Sequence, residues 1–114
     1  MSSERRRRLA TAAANAGYPA SLLPTVAQAT LPTYTAGQQL ADRQLGQVAD
    51  AVELLAEAGL SAEQVGALIA ACRQRAPHGW RETFWAFAVR AVRAQAHRAP
   101  DTSGPNSNPL NARR

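Results

Sequence analysis

Residues 51–71 read AVELLAEAGLSAEQVGALIAA, two apolar helical patterns separated by Gly-Leu-Ser. Glycine most readily takes the left-handed conformation that ends a helix, so Gly59 predicts the end of the first helix. Ser61, followed three residues later by Gln64, predicts a capping box at the start of the second. The segment therefore predicts two helices joined by a tight turn.

Apolar residues on both sides of this turn follow helical spacing. They predict a helix over 36–58 that begins at a capping box formed by Thr35 and Gln38. The helix after the turn is expected to end at Pro77. The apolar positions are Leu40, Leu45, Val48, Val52 and Leu55 in the first helix and Val65, Leu68, Ile69, Cys72 and Ala76 in the second.

A last helix is predicted over about 80–98, with apolar residues around roughly half of its circumference. That width favours either a central helix or a surface reserved for a partner. Trp85 lies off the main aromatic face, so it is the candidate partner contact, stacking on a base or filling a pocket. The scarcity of other large apolar side chains favours burial of both Trp80 and Trp85 in the core over such a contact.

Glycine and proline divide the first third of the chain. Residues 2–16 predict an alanine-rich helix that ends at Gly17 and that frays or forms only on binding, because so short a helix is marginal alone. Three prolines then leave room only for a short helix over 22–30, which packs Leu22, Leu23, Val26 and Leu31 on the core.

These elements predict an all-α fold, a small bundle of four or five helices with disordered basic termini. Residues 1–17 form a basic N-terminal arm or short helix, and residues 18–99 form the helical domain. Residues 100–114 have no periodicity and are predicted to be a disordered tail.

The charge is distributed unevenly. All 13 basic residues are arginines and the formal net charge is +5, but residues 15–99 hold seven arginines against six acids. Most of the excess therefore belongs to the two ends, and a case for nucleic acid depends on them. The surface of the 36–58 helix opposite its apolar stripe is acidic overall and is expected to face water. It carries Asp42, Arg43, Asp50, Glu53 and Glu57.

Catalysis and cofactor binding find no support in the residue inventory. Cys72 is the only cysteine, and with the isolated His78 and His97 it matches neither a nucleophile signature nor the spacing of a zinc site. No stretch approaches the roughly 20 apolar residues of a membrane span. An unpaired thiol suits a cytoplasmic protein. Residues 1–16 place a basic region before a mild apolar run, so a processed export signal stays open as the alternative.

Gly59, Leu60, Val65 and Leu68 have the spacing of a helix-turn-helix, and residues 51–71 resemble that motif. With the aromatic helix that follows, they also resemble the small helical C-terminal domains of plasmid and phage primases or replication proteins. The resemblance implies contact with DNA by the second helix. Two departures favour plain helix packing instead. Leu55 stands where the motif prefers alanine, and the outward positions Glu63, Ala67, Ala70 and Gln74 include no arginine.

Eight arginines are candidate ligands of nucleic-acid phosphates. Four adjacent guanidiniums suit an extended phosphate-binding arm, with a solubilising tail as the alternative. Two more end the second helix of the 51–71 segment, and two lie with His97 on one face of the last helix. The eight are Arg5, Arg6, Arg7, Arg8, Arg73, Arg75, Arg90 and Arg93.

The first functional hypothesis is a non-catalytic, nucleic-acid-associated accessory protein, in plasmid or phage replication, transfer or regulation, that contacts phosphates through arginine-rich arms. The alternative is a helical protein–protein interaction or self-assembly module that does not bind nucleic acid. The apolar arc of the last helix and the nearly neutral body favour that alternative.

Overall fold

The computed structural model describes residues 2–35 and 37–98. In that part the chain forms five α-helices and no strand, which confirms the all-α prediction. The helices are α1 Ser2–Ala16, α2 Leu23–Thr30, α3 Asp42–Glu57, α4 Ala62–Arg75 and α5 Trp80–Arg98, and one 3-10 helix, Ala20–Leu22, precedes α2. The predicted tail at 100–114 lies outside the described residues.

Helix α1 belongs to the folded unit. It packs along α3, and Leu9, Ala12 and Ala13 are buried in the common core. The alanines bring the two backbones close together, and α3 supplies the stability that an isolated alanine-rich helix lacks. The sequence predicts either a basic arm or a short helix for residues 1–17. The structure shows the helix, over Ser2–Ala16. The helix is packed on α3, whereas the sequence predicts that it frays or forms only on binding.

Helix α3 begins six residues later than predicted. Thr35 and Gln38 do interact, but they close a separate turn in which the Gln38 backbone N–H donates to the Thr35 carbonyl at 3.0 Å. Gly37, with φ +93°, prevents that turn from continuing as a helix. The helix starts after Ala41, whose backbone N–H donates to Gln44 Oε1 at 2.8 Å. Since alanine has no side-chain acceptor, only half of a capping box is present there.

The turn between α3 and α4 agrees with its prediction. Gly59 has φ +79°, and the Ser61 hydroxyl and Gln64 side chain each accept a hydrogen bond from the other's backbone N–H. The directions of the two helices differ by 106°. No single described helix is long and apolar enough to cross a membrane, and α3 and α4 reach that length and composition only as a pair joined across this bend.

The core lies where α2 and α5 meet α3, and α4 adds to it by packing on α5. Its largest fully buried side chains are Phe84, Leu55, Ile69, Val26, Val48, Val52 and Val65. The predicted connector helix is present as α2, with Val26 and Leu31 buried and Leu22 and Leu23 packed against the core. The Tyr18 hydroxyl donates to the Leu60 carbonyl at 2.7 Å, which ties the end of α1 to the α3–α4 turn.

Glycine at position 59 is required by its backbone conformation, and substitution there is expected to destabilise the fold. A methyl group at Gly59 meets Gln95 Nε2 at 2.5 Å, and its φ is left-handed. Because the left-handed conformation costs an alanine about 1–2 kcal/mol, we expect Gly59→Ala to lower the free energy of unfolding by at least that amount.

Gly66 provides the matched control. It lies within α4, where a methyl group meets nothing within 4 Å. Gly66→Ala is expected to raise the free energy of unfolding by about 0.5–1 kcal/mol, through helix propensity alone. Urea denaturation followed by circular dichroism measures both variants. Equal effects of the two substitutions would contradict this account of the turn.

Candidate nucleic-acid interface

Two of the four consecutive arginines of α1 are paired with acids of α3. Arg5 Nη1 lies 2.9 Å from Asp42 Oδ2. Arg8 Nη2 donates to Asp50 Oδ1 at 2.5 Å and to Glu53 Oε1 at 2.7 Å. These hydrogen bonds, Glu53 first and then Asp50, raise the pKa of the Arg8 guanidinium above its usual range. The acidic surface of α3 therefore faces α1 as well as water.

The pairing follows from helical spacing. Arg5 and Arg8 are three residues apart and share a face of α1, as Asp50 and Glu53 do on α3. Arg6 and Arg7 point elsewhere, are exposed, and make no ion pair within the described part of the chain. The idea of four guanidiniums acting together in an extended arm is therefore wrong, because the arm is a helix with half of its charge already neutralised.

A second group of arginines surrounds Trp80, at the start of α5. The guanidinium carbons of Arg73 and Arg81 lie 4.7 and 4.6 Å from the centroid of the Trp80 ring. Both also contact Gln28 of α2: Arg81 Nε donates to its backbone carbonyl at 2.7 Å, and Arg73 Nη2 lies 3.5 Å from its Oε1. No carboxylate among the described residues forms an ion pair with either arginine.

Arg81 is not among the eight arginines predicted from the sequence to bind phosphates. In the sequence, the adjacent Glu82 suggests that the positive charge of Arg81 is neutralised. The Glu82 carboxylate, however, makes no ion pair with any described residue. The one available signal was its position directly after a tryptophan predicted to be buried. A cation beside such a ring is well placed to stack on it.

Trp85 packs against the core, which agrees with the favoured of its two predicted uses, and it is not a free partner contact. Its indole Nε1 donates to the Ala29 carbonyl at 2.8 Å, and its ring meets Phe84 edge-on with centroids 4.8 Å apart. The half-buried Trp85 therefore fastens α5 to the end of α2. The large apolar side chains that α5 does expose are Phe87, at 43%, and Val89, at 38%.

Arg90 and Arg93 lie on the outward side of α5, as predicted. Both are exposed and border a shallow depression of about 430 Å³ whose other walls are Trp85, Ala86 and Val89. Neither forms an ion pair with a described acid. His97 lies in the same stripe and is exposed. Arg90, Arg93 and His97 therefore form an open cationic surface on α5.

The outward face of α4 is exposed as predicted, and it carries few groups that read bases. Glu63 and Gln74 are its polar residues, with Ala67 and Ala70 between them, and Arg75 is exposed at the helix end. The 106° turn falls in the range of about 90–120° that is usual for a helix-turn-helix. Leu55 is fully buried beside the turn, so this larger side chain is accommodated in the core.

An apolar groove runs between α4 and α5 on another side of the molecule. Leu60 and Leu68 are half-buried there, next to the exposed Phe87. It continues into a depression of about 500 Å³ that reaches Cys72 and has Arg75 at its rim. Cys72 itself is buried, as predicted for a small core residue.

Neither a metal-binding group among the described residues nor a similar known protein indicates a function. Within residues 2–35 and 37–98, no group of three or more histidine, cysteine or acidic side chains is arranged to hold a metal ion. Comparison with family models, with curated proteins and with solved structures gives no significant match to this chain. The functional argument therefore depends on the surfaces described above.

The Arg8 pairing is testable by its salt dependence. Arg8→Gln is expected to lower the free energy of unfolding by about 0.5–1 kcal/mol, the usual value for exposed ion pairs. The loss should shrink in 1 M salt, where charges are screened within about 3 Å. Arg7→Gln removes the same charge from an unpaired neighbour and should change stability less. Urea denaturation at two salt concentrations measures both, and equal losses would contradict the pairing.

Proposed function

We propose that this protein is a non-catalytic, nucleic-acid-associated accessory protein that contacts phosphates chiefly through α4 and α5. The observation that carries the proposal is the open arginine surface of α5, where Arg90 and Arg93 have no described acidic partner. Arginine presents a planar fork of N–H donors that matches phosphate oxygens. The resemblance of residues 51–71 to replication-protein domains favours plasmid or phage replication, transfer or regulation as the setting.

The distribution of charge among the helices supports this surface over α1. Helices α1 and α3 together carry five arginines and five acids. Helices α4 and α5 together carry six arginines and two acids. Since α1 packs on α3, their charges largely cancel, and a polyanion is attracted to the α4–α5 side.

The contacts proposed here are to the nucleic-acid backbone. The start of α4 offers Glu63, alanines and Gln64, whose side-chain oxygen is taken up by the Ser61 backbone N–H. Base readout in the major groove, by contrast, depends on free Arg, Asn or Gln side chains at such positions. Phosphate contacts fix position and register but carry no sequence information directly. We therefore expect binding that is weakly sequence-dependent and strongly salt-dependent.

Fluorescence anisotropy with a labelled DNA duplex at several salt concentrations tests the proposal. Each phosphate neutralised contributes about 0.9 to the slope of log affinity against log salt. The double variant Arg90→Gln, Arg93→Gln is therefore expected to bind more weakly. Its affinity should also depend less steeply on salt, with the magnitude of the slope reduced by up to about 2. Single-stranded DNA and RNA of the same length complete the comparison.

The matched control is the double variant Arg6→Gln, Arg7→Gln. It removes the same charge from two exposed arginines of α1. We expect it to change affinity less than the α5 variant does. Equal losses would show attraction by net charge alone and contradict an α5 interface. A wild-type chain without salt-dependent binding would overturn the nucleic-acid function.

Self-assembly is the second candidate function, and the exposure of Phe87 favours it. A large aromatic side chain that is 43% exposed beside Leu60 and Leu68 forms an apolar groove of the kind that interfaces cover. In this reading the groove joins two copies of the chain, and the arginine surface is left at the outside.

Light scattering over a range of protein concentrations tests self-assembly. The wild-type chain is expected to form a dimer, and Phe87→Ser should shift it to monomer. Val89→Ser removes the other exposed apolar side chain, which lies at the arginine depression, and should leave the dimer intact. A wild-type chain that stays monomeric at every concentration would contradict this function.

A further inference from the structure

We infer that Arg73 and Arg81, held on Trp80 and Gln28, form a binding site for a single phosphate group. The site is separate from the Arg90 and Arg93 surface, and its assignment to a nucleic-acid phosphate rests on the proposed function. It draws on three helices: Gln28 from α2, Arg73 from α4, and Trp80 with Arg81 from α5.

The two guanidiniums share two partners, the Trp80 ring and Gln28. Since each guanidinium carbon lies within 4.7 Å of the Trp80 centroid, the two are at most about 9 Å apart. Each also contacts Gln28, one at its backbone carbonyl and one at its side-chain oxygen. Because Arg73 is exposed and the only described hydrogen bond of its side chain is 3.5 Å long, its fork can turn toward Arg81, and one phosphate can then accept from both forks.

Arg81 is the anchored member of the pair. It is half-buried, and its Nε donates at 2.7 Å to the Gln28 carbonyl in the last turn of α2, where helix carbonyls lack partners within the helix. The negative end of the helix dipole also stabilises a cation there. This bond uses one of the five N–H donors of the guanidinium, so its two terminal nitrogens remain free for a ligand.

Arg73 is the adjustable member. It is exposed, and its contact with Gln28 Oε1 is 3.5 Å, at the outer limit of a hydrogen bond. A phosphate oxygen gives a shorter, charge-assisted bond than a neutral amide oxygen does. An arriving phosphate is therefore expected to replace Gln28 Oε1 as the partner of Arg73.

The electrostatics of the pair favour an anion. Two positive groups lie on one ring with no described carboxylate paired to either, whereas Arg5 and Arg8 of the same protein are both paired. An anion between Arg73 and Arg81 relieves their mutual repulsion. Trp80 is itself 5% exposed, so it supports the guanidiniums and is not open for stacking on a base.

Titration of the full chain with inorganic phosphate, followed by NMR, tests the site itself. The probes are the indole N–H of Trp80 and the Nε–H of Arg73 and Arg81. Phosphate is expected to shift these signals, and acetate at equal ionic strength is expected not to. Arg73→Gln should weaken the phosphate response about tenfold, because a charged donor is lost at an exposed position that the fold does not need.

Arg43→Gln is the matched control. Arg43 is an exposed arginine on α3 that makes no described ion pair, so its loss changes the net charge equally. Its phosphate response should equal that of the wild-type chain. Arg81→Lys keeps the charge but removes the fork, and it should also weaken the response. An identical response in Arg73→Gln and Arg43→Gln would overturn the site.

A DNA duplex titrated into the same variants identifies the source of the phosphate. If the duplex shifts the Trp80 signal and Arg73→Gln weakens duplex binding, the site holds a backbone phosphate. If inorganic phosphate binds but Arg73→Gln leaves duplex affinity unchanged, the nucleic-acid source is overturned and free phosphate is the ligand. If phosphate causes no shift while Arg90→Gln, Arg93→Gln still weakens duplex binding, the site is overturned and the proposed function survives.

Discussion

The burial of Val48, Val52 and Leu55 along one side of α3 is the constraint on which the other helices depend. All three are fully buried, and α3 packs against α1, α2 and α5. Of the chain's 114 residues 26 are alanines, so few side chains bury much area. Since full burial of a valine or leucine contributes about 1.5–3 kcal/mol, these few positions supply a large share of the stability. The alanines allow close approach of helices around that stripe.

The packing of α1 on α3 also determines where the protein is basic. The arginine run at the N-terminus is the most conspicuous charge in the sequence, yet its partner α3 is the most acidic helix. Because the two helices lie side by side, Arg5 and Arg8 form ion pairs with carboxylates of α3. The uncompensated charge then belongs to α4 and α5, where arginines outnumber acids. A charge count along the chain cannot show where the uncompensated charge lies, because that depends on which helices pack against each other.

The contacts between α5 and α2 link the fold to the proposed phosphate site. Trp85 and Arg81, one helical turn apart on α5, donate to the consecutive carbonyls of Ala29 and Gln28. These bonds satisfy groups that the end of α2 leaves open. They also fix Arg81 beside Trp80 and within reach of Arg73. The same hydrogen bonds that hold the last helix in place therefore hold Arg81 against the ring that Arg73 also contacts.

Features that depend on near neighbours along the chain could be predicted from the sequence. The turn at Gly59, the reciprocal bonds of Ser61 and Gln64, and the extent of α5 are local, and each could be predicted from residues a few positions apart. Thr35 and Gln38 show the limit, since the same local pattern closes a turn without starting a helix.

Which side chains are available to a ligand depends on how distant segments pack together. Arg8 and Glu53 are 45 residues apart, and Trp85 and Ala29 are 56 apart. Whether such groups meet depends on the angles at which helices pack, and these depend on how apolar faces from distant segments fit together. For that reason the helices could be predicted from the sequence, whereas the pairing of Arg5 and Arg8, the role of Trp85 and the Arg73–Arg81 pair could not.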